Sequence, residues 1–332
     1  MSLRRPLLLP LTPLYHAVAV LRRRMYRTGW LRSKRLACPV ISVGSLSAGG
    51  AGKTPLVILL AETLKQHGIV ANVLTRGYGR ASTQVERVEP DSDPIQHGDE
   101  PVLMAQRGIP VFAGADRYQA GLLAEQSCPV AIHLLDDGFQ HQQLARNIDI
   151  VLLTKQDVED HLLPAGNLRE PFQALRAADV IVLREEEANE LRHFIRNDRG
   201  ESRPSLWVIR RKLVLNKDEA LPAAPLAFCG IARPEGFFRM LTAEGITPRA
   251  TKAFRDHHRY NEADITRVVE QVRRIGADGF VTTEKDAVKL TSTMRHQLAA
   301  VGPLVAAGLQ VEFADGGEAF QQLVQKLQAT IL

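Results

Sequence analysis

Val40-Ile41-Ser42-Val43-Gly44-Ser45-Leu46-Ser47-Ala48-Gly49-Gly50-Ala51-Gly52-Lys53-Thr54-Pro55 runs from a short β-branched strand through a glycine-rich turn into Gly-Lys-Thr. The run Pro55–His67 that follows carries Leu56, Leu59, Leu60, Thr63 and Leu64 on one helical face and stops at Gly68. Strand, glycine-rich turn and helix in that order make a phosphate cradle. The backbone N–H groups of Ser47, Ala48, Gly49, Gly50, Ala51 and Gly52 crowd around a polyphosphate. Lys53 reaches its outer phosphates, and the Thr54 hydroxyl offers an oxygen to Mg²⁺. Ser47 stands where the strict pattern has its first glycine.

Outward from the loop, apolar runs alternate with longer helical stretches. Strands are expected at Val40–Val43, Ala71–Thr75, Val111–Ala113, Val130–Leu135, Ile148–Leu153, Val180–Leu183 and Leu206–Ile209. Continuous apolar strands alternating with helices predict an α/β fold: a mostly parallel sheet, P-loop NTPase-like, with helices on both faces. Ligands of such sheets sit beyond the carboxyl ends of the strands. Pro222-Ala223-Ala224-Pro225 marks a domain junction. A second, smaller α/β pattern follows, with strands at Leu226–Cys229 and Gly279–Thr282 around a helix at Gly236–Glu244. Gln310–Ala314 and Ala319–Leu327 read as a closing strand and helix that return to either domain. The divisions are therefore a segment 1–30, a kinase-like domain 31–215, a second domain 222–303 and a C-terminal unit 304–332.

The front of the chain is different in kind. Arg4, Arg5, Arg22, Arg23, Arg24, Arg27, Arg32, Lys34 and Arg35 precede the loop with no acid among them, and Pro6 to Leu21 between them is uncharged and largely apolar. The stretch is short for a membrane span, and Pro10 and Pro13 interrupt it. Ala17-Val18-Ala19 mimics a signal-peptide cleavage site, but an Arg triplet follows at once. An amphipathic anchor lying in the headgroup region, with arginines on anionic lipid, is the expectation. The alternative is a basic helix packed on its own domain. Net charge is +5 over 332 residues, and no nucleic-acid-binding motif accompanies it. Cys38, Cys128 and Cys229 are scattered and odd in number, which suits a reducing compartment.

Several polar clusters fall at predicted strand ends. Asp136-Asp137-Gly138-Phe139-Gln140-His141 places two carboxylates where Mg²⁺ or its water shell would lie. Thr75-Arg76-Gly77-Tyr78-Gly79-Arg80 and Ala115-Asp116-Arg117 put arginines where charge on a transferring phosphoryl group needs compensation. Gly98-Asp99-Glu100-Pro101 reads as a helix N-terminus, or as a base near an acceptor hydroxyl. Asp256-His257-His258 pairs an acid with a proton carrier, and no metal-ligand spacing surrounds it. Leu163-Pro164-Ala165-Gly166 leads into the ion-pair-capable Leu168-Arg169-Glu170-Pro171. Glu185-Glu186-Glu187 reads as a solvated helix face. Thr283-Glu284-Lys285-Asp286 reads as a helix start capped by threonine.

These stretches, together with Phe228-Cys229-Gly230-Ile231 and Thr283-Glu284-Lys285-Asp286-Ala287-Val288-Lys289, resemble in order and over nearly the whole chain the tetraacyldisaccharide 4′-kinase (lipid A 4′-kinase) family. The resemblance implies transfer of the γ-phosphoryl group of ATP, with Mg²⁺, to the 4′-hydroxyl of a tetraacylated glucosamine disaccharide 1-phosphate. The product would be lipid IV-A, made at the cytoplasmic face of the inner membrane by a peripheral or monotopic enzyme with no evident protein partner. It implies Asp99 as base assisted by His257, with Lys53 and Arg117 acting on phosphates. Thr54, Asp136, Asp137 and Glu170 would surround the metal, and Arg76, Tyr78, Glu100, Gln140 and His141 would line the substrate site. Asp99 and His257 then face each other across a cleft whose closure completes the site. The family commonly has asparagine at the position of Ser45. A regulatory or partitioning P-loop ATPase is the competing reading, but Ala48 replaces the lysine that begins such loops. No Asn-Lys-x-Asp guanine signature is present.

Overall fold

The computed structural model describes residues 5–127, 129–197, 204–215 and 220–331; Arg4, Cys128 and Asp198-Arg199-Gly200 lie outside them. Among the described residues twelve strands form one sheet: β1 (Val40–Ser45), β2 (Ala71–Thr75), β3 (Glu86–Val88), β4 (Val111–Ala113), β5 (Ile132–Asp136), β6 (Ile148–Leu153), β7 (Val180–Arg184), β8 (Ser205–Leu215), β9 (Leu226–Cys229), β10 (Ala250–Ala253), β11 (Phe280–Thr283) and β12 (Leu304–Phe313). Their order is β10-β9-β11-β12-β8-β7-β6-β1-β5-β2-β4-β3. Every pairing is parallel except β3 with β4 and β12 with β8.

The helices are α1 (Thr12–Arg27), α2 (Lys53–Gln66), α3 (Pro94–His97), α4 (Asp99–Gln106), α5 (Arg117–Ser127), α6 (Lys155–Glu159), α7 (Glu185–Asn197), α8 (Pro234–Ala243), α9 (Glu262–Ile275), α10 (Glu284–Ala287), α11 (Ser292–Ala299) and α12 (Glu318–Ile331). Helix α2 buries Leu56, Val57, Leu60 and Leu64 on one face of β1 and β5, together with Trp207, Phe320 and Val324. The opposite face carries Leu46, Phe139, Val151 and Leu183 under α7. Strands β9 and β11 have cores of their own on both faces, built around Phe228 and Phe280 on one side and Phe237 and Val305 on the other. Burial on both faces is what makes these strands uniformly apolar.

The central strands lie where the apolar runs put them. Two of them are longer than the apolar pattern indicates. β8 continues through Arg210-Arg211-Lys212, because its second half pairs antiparallel with β12 and leaves alternate side chains in solvent. β12 begins at Leu304: its first residues pair with β11 and the rest, from Ala307 to Phe313, with β8. Strands β3 and β10 carry no apolar signal and occupy the two sheet edges, where polar side chains suit an exposed rim.

At the front, a 3₁₀ turn over Pro6–Leu11 leads into α1, started by Pro13. No residue of either element is buried, and Leu7, Leu14, Val18 and Leu21 are exposed. Among the described residues no helix is long and apolar enough to cross a membrane.

Candidate active site

The phosphate loop leaves the buried end of β1 and turns through Gly49, Gly50 and Gly52, at φ of 75°, 62° and 95°. Such backbone is strained for any residue with a Cβ. Gly52 then leads into the first turn of α2, which aims its free N–H groups at the loop. Lys53 Nζ donates to Ser45 Oγ at 3.2 Å, and Ser45 Oγ donates to the Ser47 carbonyl at 2.8 Å. Ser45 thus ties the loop's first residues to its lysine. Arg184 donates to the Ala51 carbonyl at 2.6 Å, and Gln140 Nε2 to the Ser45 carbonyl at 2.9 Å. The Ser47 hydroxyl is buried with no partner among the described residues. Thr54 is half-buried at the start of α2.

Asp136 ends β5 and Asp137 follows with φ of 50°. The two carboxylates have opposite environments. Asp137 lies 3.2 Å from Lys53 Nζ and takes a two-pronged bond from Arg169 at 2.6 and 2.8 Å. Burial opposes its ionisation, but the Arg169 hydrogen bonds and the Lys53 charge outweigh burial and hold it far below the usual carboxylate range. Asp136 accepts a bond from Thr75 Oγ1 at 3.1 Å, while its other oxygen is buried and unpartnered. Burial, then the charges of Glu100 and Asp137, push it up to about 7. An oxygen-only donor set beside a phosphate loop, with one carboxylate oxygen unsatisfied, fits Mg²⁺.

The third group comes from loops around both halves of the sheet. Asp99 opens α4 and is buried. His257, at φ of 55° in the turn after β10, places Nδ1 3.0 Å and 3.2 Å from the two Asp99 oxygens. Lys285, from α10 after β11, donates to Glu100 Oε1 at 2.7 Å and lies 3.3 Å from His257 Nε2. A lysine ammonium has only donors. Facing Nε2 it favours the tautomer whose Nδ1–H points at Asp99. The Tyr78 ring lies 5.0 Å from that of His257, and Arg259 donates to the Gly79 carbonyl at 2.7 Å. His258 instead stacks on Phe254 and bonds Asp264 at 2.9 Å.

The remaining predicted residues divide. Arg117 is buried, donates to the Ala115 carbonyl at 2.8 Å and has an unpartnered Nε; burial and the nearby Arg76 charge lower its pKa. Burial and Arg117 hold His141 at about 4, so its imidazole is neutral at pH 7. Arg76 and Tyr78 are exposed. Glu170 pairs with Arg23 of α1 at 3.3 Å through one oxygen and, among the described residues, leaves the other buried without a partner. Arg23 also lies 4.6 Å over the Phe139 ring, and Tyr15 of the same helix bonds the Arg169 carbonyl at 3.0 Å. The positions that residue-by-residue reading passed over are Arg169 and Lys285. Thr283 does cap α10 as its sequence suggests, accepting from the Asp286 N–H at 3.1 Å. The lysine inside that motif faces the site, and only the motif's membership in the ordered set signalled it.

A family model described as Tetraacyldisaccharide-1-P 4′-kinase matches residues 4–328. The tetraacyldisaccharide 4′-kinase of Koribacter versatilis is 41% identical over 96% of this chain and 98% of its own. That of Chromobacterium violaceum is 37% identical over 86% and 83%. Among solved structures, LpxK from Aquifex aeolicus in complex with ATP is similar with a TM-score of 0.76 and 32% identity, covering 96% of this chain and 98% of that one.

Proposed function

Since the chain belongs to the tetraacyldisaccharide-1-P 4′-kinase family, we propose that it transfers the γ-phosphoryl group of ATP to the 4′-hydroxyl of a tetraacylated glucosamine disaccharide 1-phosphate. The observation that carries this is the meeting of two sets of groups at the carboxyl ends of one sheet. Lys53 sits with Asp136 and Asp137, and the Asp99–His257 pair stands at 3.0 Å with Lys285 behind it. Phosphoryl transfer asks for positioning, charge compensation and an acceptor for one proton.

In this reading the backbone of Ser47 to Gly52 and the Lys53 ammonium hold the phosphates. Asp136, with the unpartnered oxygen, and Thr54 would hold Mg²⁺, which compensates phosphate charge when bound. Asp137 stays ionised and fixes Lys53 and Arg169. Asp99 accepts the 4′-hydroxyl proton, while His257 orients it and stabilises the charge. Arg117 faces the transferring group; Arg76, Tyr78, Glu100, Gln140 and neutral His141 line the acceptor side. Glu170 anchors α1 through one oxygen and keeps the other, buried and without a partner among the described residues, toward the metal. Residues 31–215 form the nucleotide-binding domain, 222–303 the domain that contributes His257, and 304–332 join the two.

An acylated sugar stays in a bilayer, so the enzyme must come to it. The exposed Leu14, Val18 and Leu21 of α1 rest in the headgroup region, with the surrounding arginines on anionic lipid at the cytoplasmic face of the inner membrane. The test is incubation with labelled ATP, Mg²⁺ and the acylated disaccharide. Label appearing in a lipid, and ATP turnover that depends on the acceptor, are expected; acceptor-independent turnover favours a regulatory ATPase.

A further inference from the structure

Around Gly50 to Gly52 stand arginines that the reaction described so far does not use. Arg184 bonds the Ala51 carbonyl at 2.6 Å and pairs with Glu187 at 3.4 Å, and Arg211 pairs with Glu186. Arg233 is the third. It comes from the turn after β9, in the other half of the sheet, and crosses to the phosphate loop: a Cβ placed on Gly50 would meet Arg233 Nε at 3.0 Å and Ala232 Cβ at 3.1 Å. The side chain is half-buried, and among the described residues it makes no hydrogen bond and no ion pair. Asp157 and Glu187 attract it only at a distance, and Arg211 opposes it. Burial, then the neighbouring guanidinium groups, push Arg184 down to about 10. Like charges gathered in a partly dry place repel one another, and a polyanion at the loop reverses that cost.

We propose that Arg233 is a phosphate-binding residue that lays its guanidinium on the nucleotide where the phosphates pass Gly50. It would thereby tie nucleotide binding to the seating of the second half of the sheet on the first. The assignment rests on the reading that Ser47 to Thr54 hold ATP. Three features favour it. Among the described residues the cation has no hydrogen-bond or ion-pair partner; it touches the glycine whose lack of a Cβ lets it approach; and its planar fork suits phosphate oxygens better than a lysine's point charge. An arginine brought to a phosphate loop from a separate element acts on charge developing in the transferring group, and such arginines are worth about 10³–10⁵ in kcat.

The experiment compares wild type, Arg233→Ala, Arg233→Lys and Lys53→Ala as full chains. Equilibrium binding of fluorescent ATP and ADP analogues is measured without lipid, and phosphoryl transfer is measured alongside. Arg233→Ala should bind the ATP analogue about tenfold more weakly, or worse, and lose about 10²-fold or more in kcat. Arg233→Lys should recover part of the affinity but little of the rate. Circular dichroism melts matching wild type show that the variant folds. Binding and kcat of Arg233→Ala within about twofold of wild type overturn the proposal. If Lys53→Ala loses affinity while Arg233→Ala does not, the Arg233 assignment alone falls; if Lys53→Ala also binds as wild type, the reading of the loop falls with it.

Discussion

At the scale of single residues, Asp99 stands where two elements meet. It opens α4, where an acid favours the helix dipole, and its side chain meets His257. Asp99→Ala is expected to lower kcat by about 10²–10⁴ with ATP affinity little changed, checked by single-turnover transfer and nucleotide binding. A near-normal rate removes it as the base. The pair also sets a pH dependence. Burial raises Asp99 and lowers His257, but their mutual hydrogen bond, joined for Asp99 by the Lys285 charge, leaves Asp99 below 3.8 and His257 above 6.5. A depressed acid stabilises above its unfolded value and a raised histidine below its own, so the ion pair contributes fully only between pH 3.8 and 6.5. The stability difference between wild type and His257→Asn, from urea unfolding at several pH values, should be largest in that window. It should shrink as pH rises past the folded His257 value; a difference independent of pH denies the ion pair. Lys285 belongs to the same scale. No spacing in the chain announces it, because its role comes from facing Glu100 and His257 on other elements.

At the scale of elements, α1 has two faces. Tyr15 and Arg23 tie it to Arg169 and Glu170, whereas Leu14, Val18 and Leu21 lie exposed at helical spacing. Removing residues 1–30 should reduce recovery with membranes, but it also strips those ties from the site. Glutamates at Leu14, Val18 and Leu21 leave Tyr15 and Arg23 in place. That variant should float free of anionic vesicles while keeping its affinity for nucleotide, and unchanged partitioning counts against the anchor. The uncharged run and its flanking arginines were readable without coordinates; which residues of α1 turn inward was not, since Arg22, Arg23 and Arg24 are chemically alike. At the other end, α12 is pinned by Phe320, stacked on Phe313 at 5.4 Å and edge-on to Trp207 at 5.7 Å. Phe320→Ala should cost about 3–5 kcal/mol in denaturant unfolding, as a fully buried aromatic leaving a cavity does.

For the whole molecule, β12 is the joint. Leu304–Ala307 pair with β11, Ala307–Phe313 with β8, and the antiparallel register from Ala307↔Leu215 to Phe313↔Ile209 fastens the two halves. A ligand that binds only the folded chain stabilises it, by about 2.7 kcal/mol at a hundredfold excess over Kd. ATP with Mg²⁺ should therefore raise the melting temperature of the wild type and leave that of Lys53→Ala nearly unmoved, as differential scanning calorimetry would register. Apolar strands with helices between them, the glycine-rich turn ahead of Lys53 and the acid pair at the end of β5 were all legible in the chain itself. Each depends on a short-range period or on neighbours a few residues apart, and backbone geometry leaves little choice at that range. Local pattern did not announce the partners: Asp99 with His257, 158 positions apart, came only through the family resemblance, and Arg169 with Asp137 and Arg233 beside Gly50 not at all. Those contacts depend on strand order and on the path of the loops that follow each strand, which many sequences of the same local pattern could have arranged otherwise.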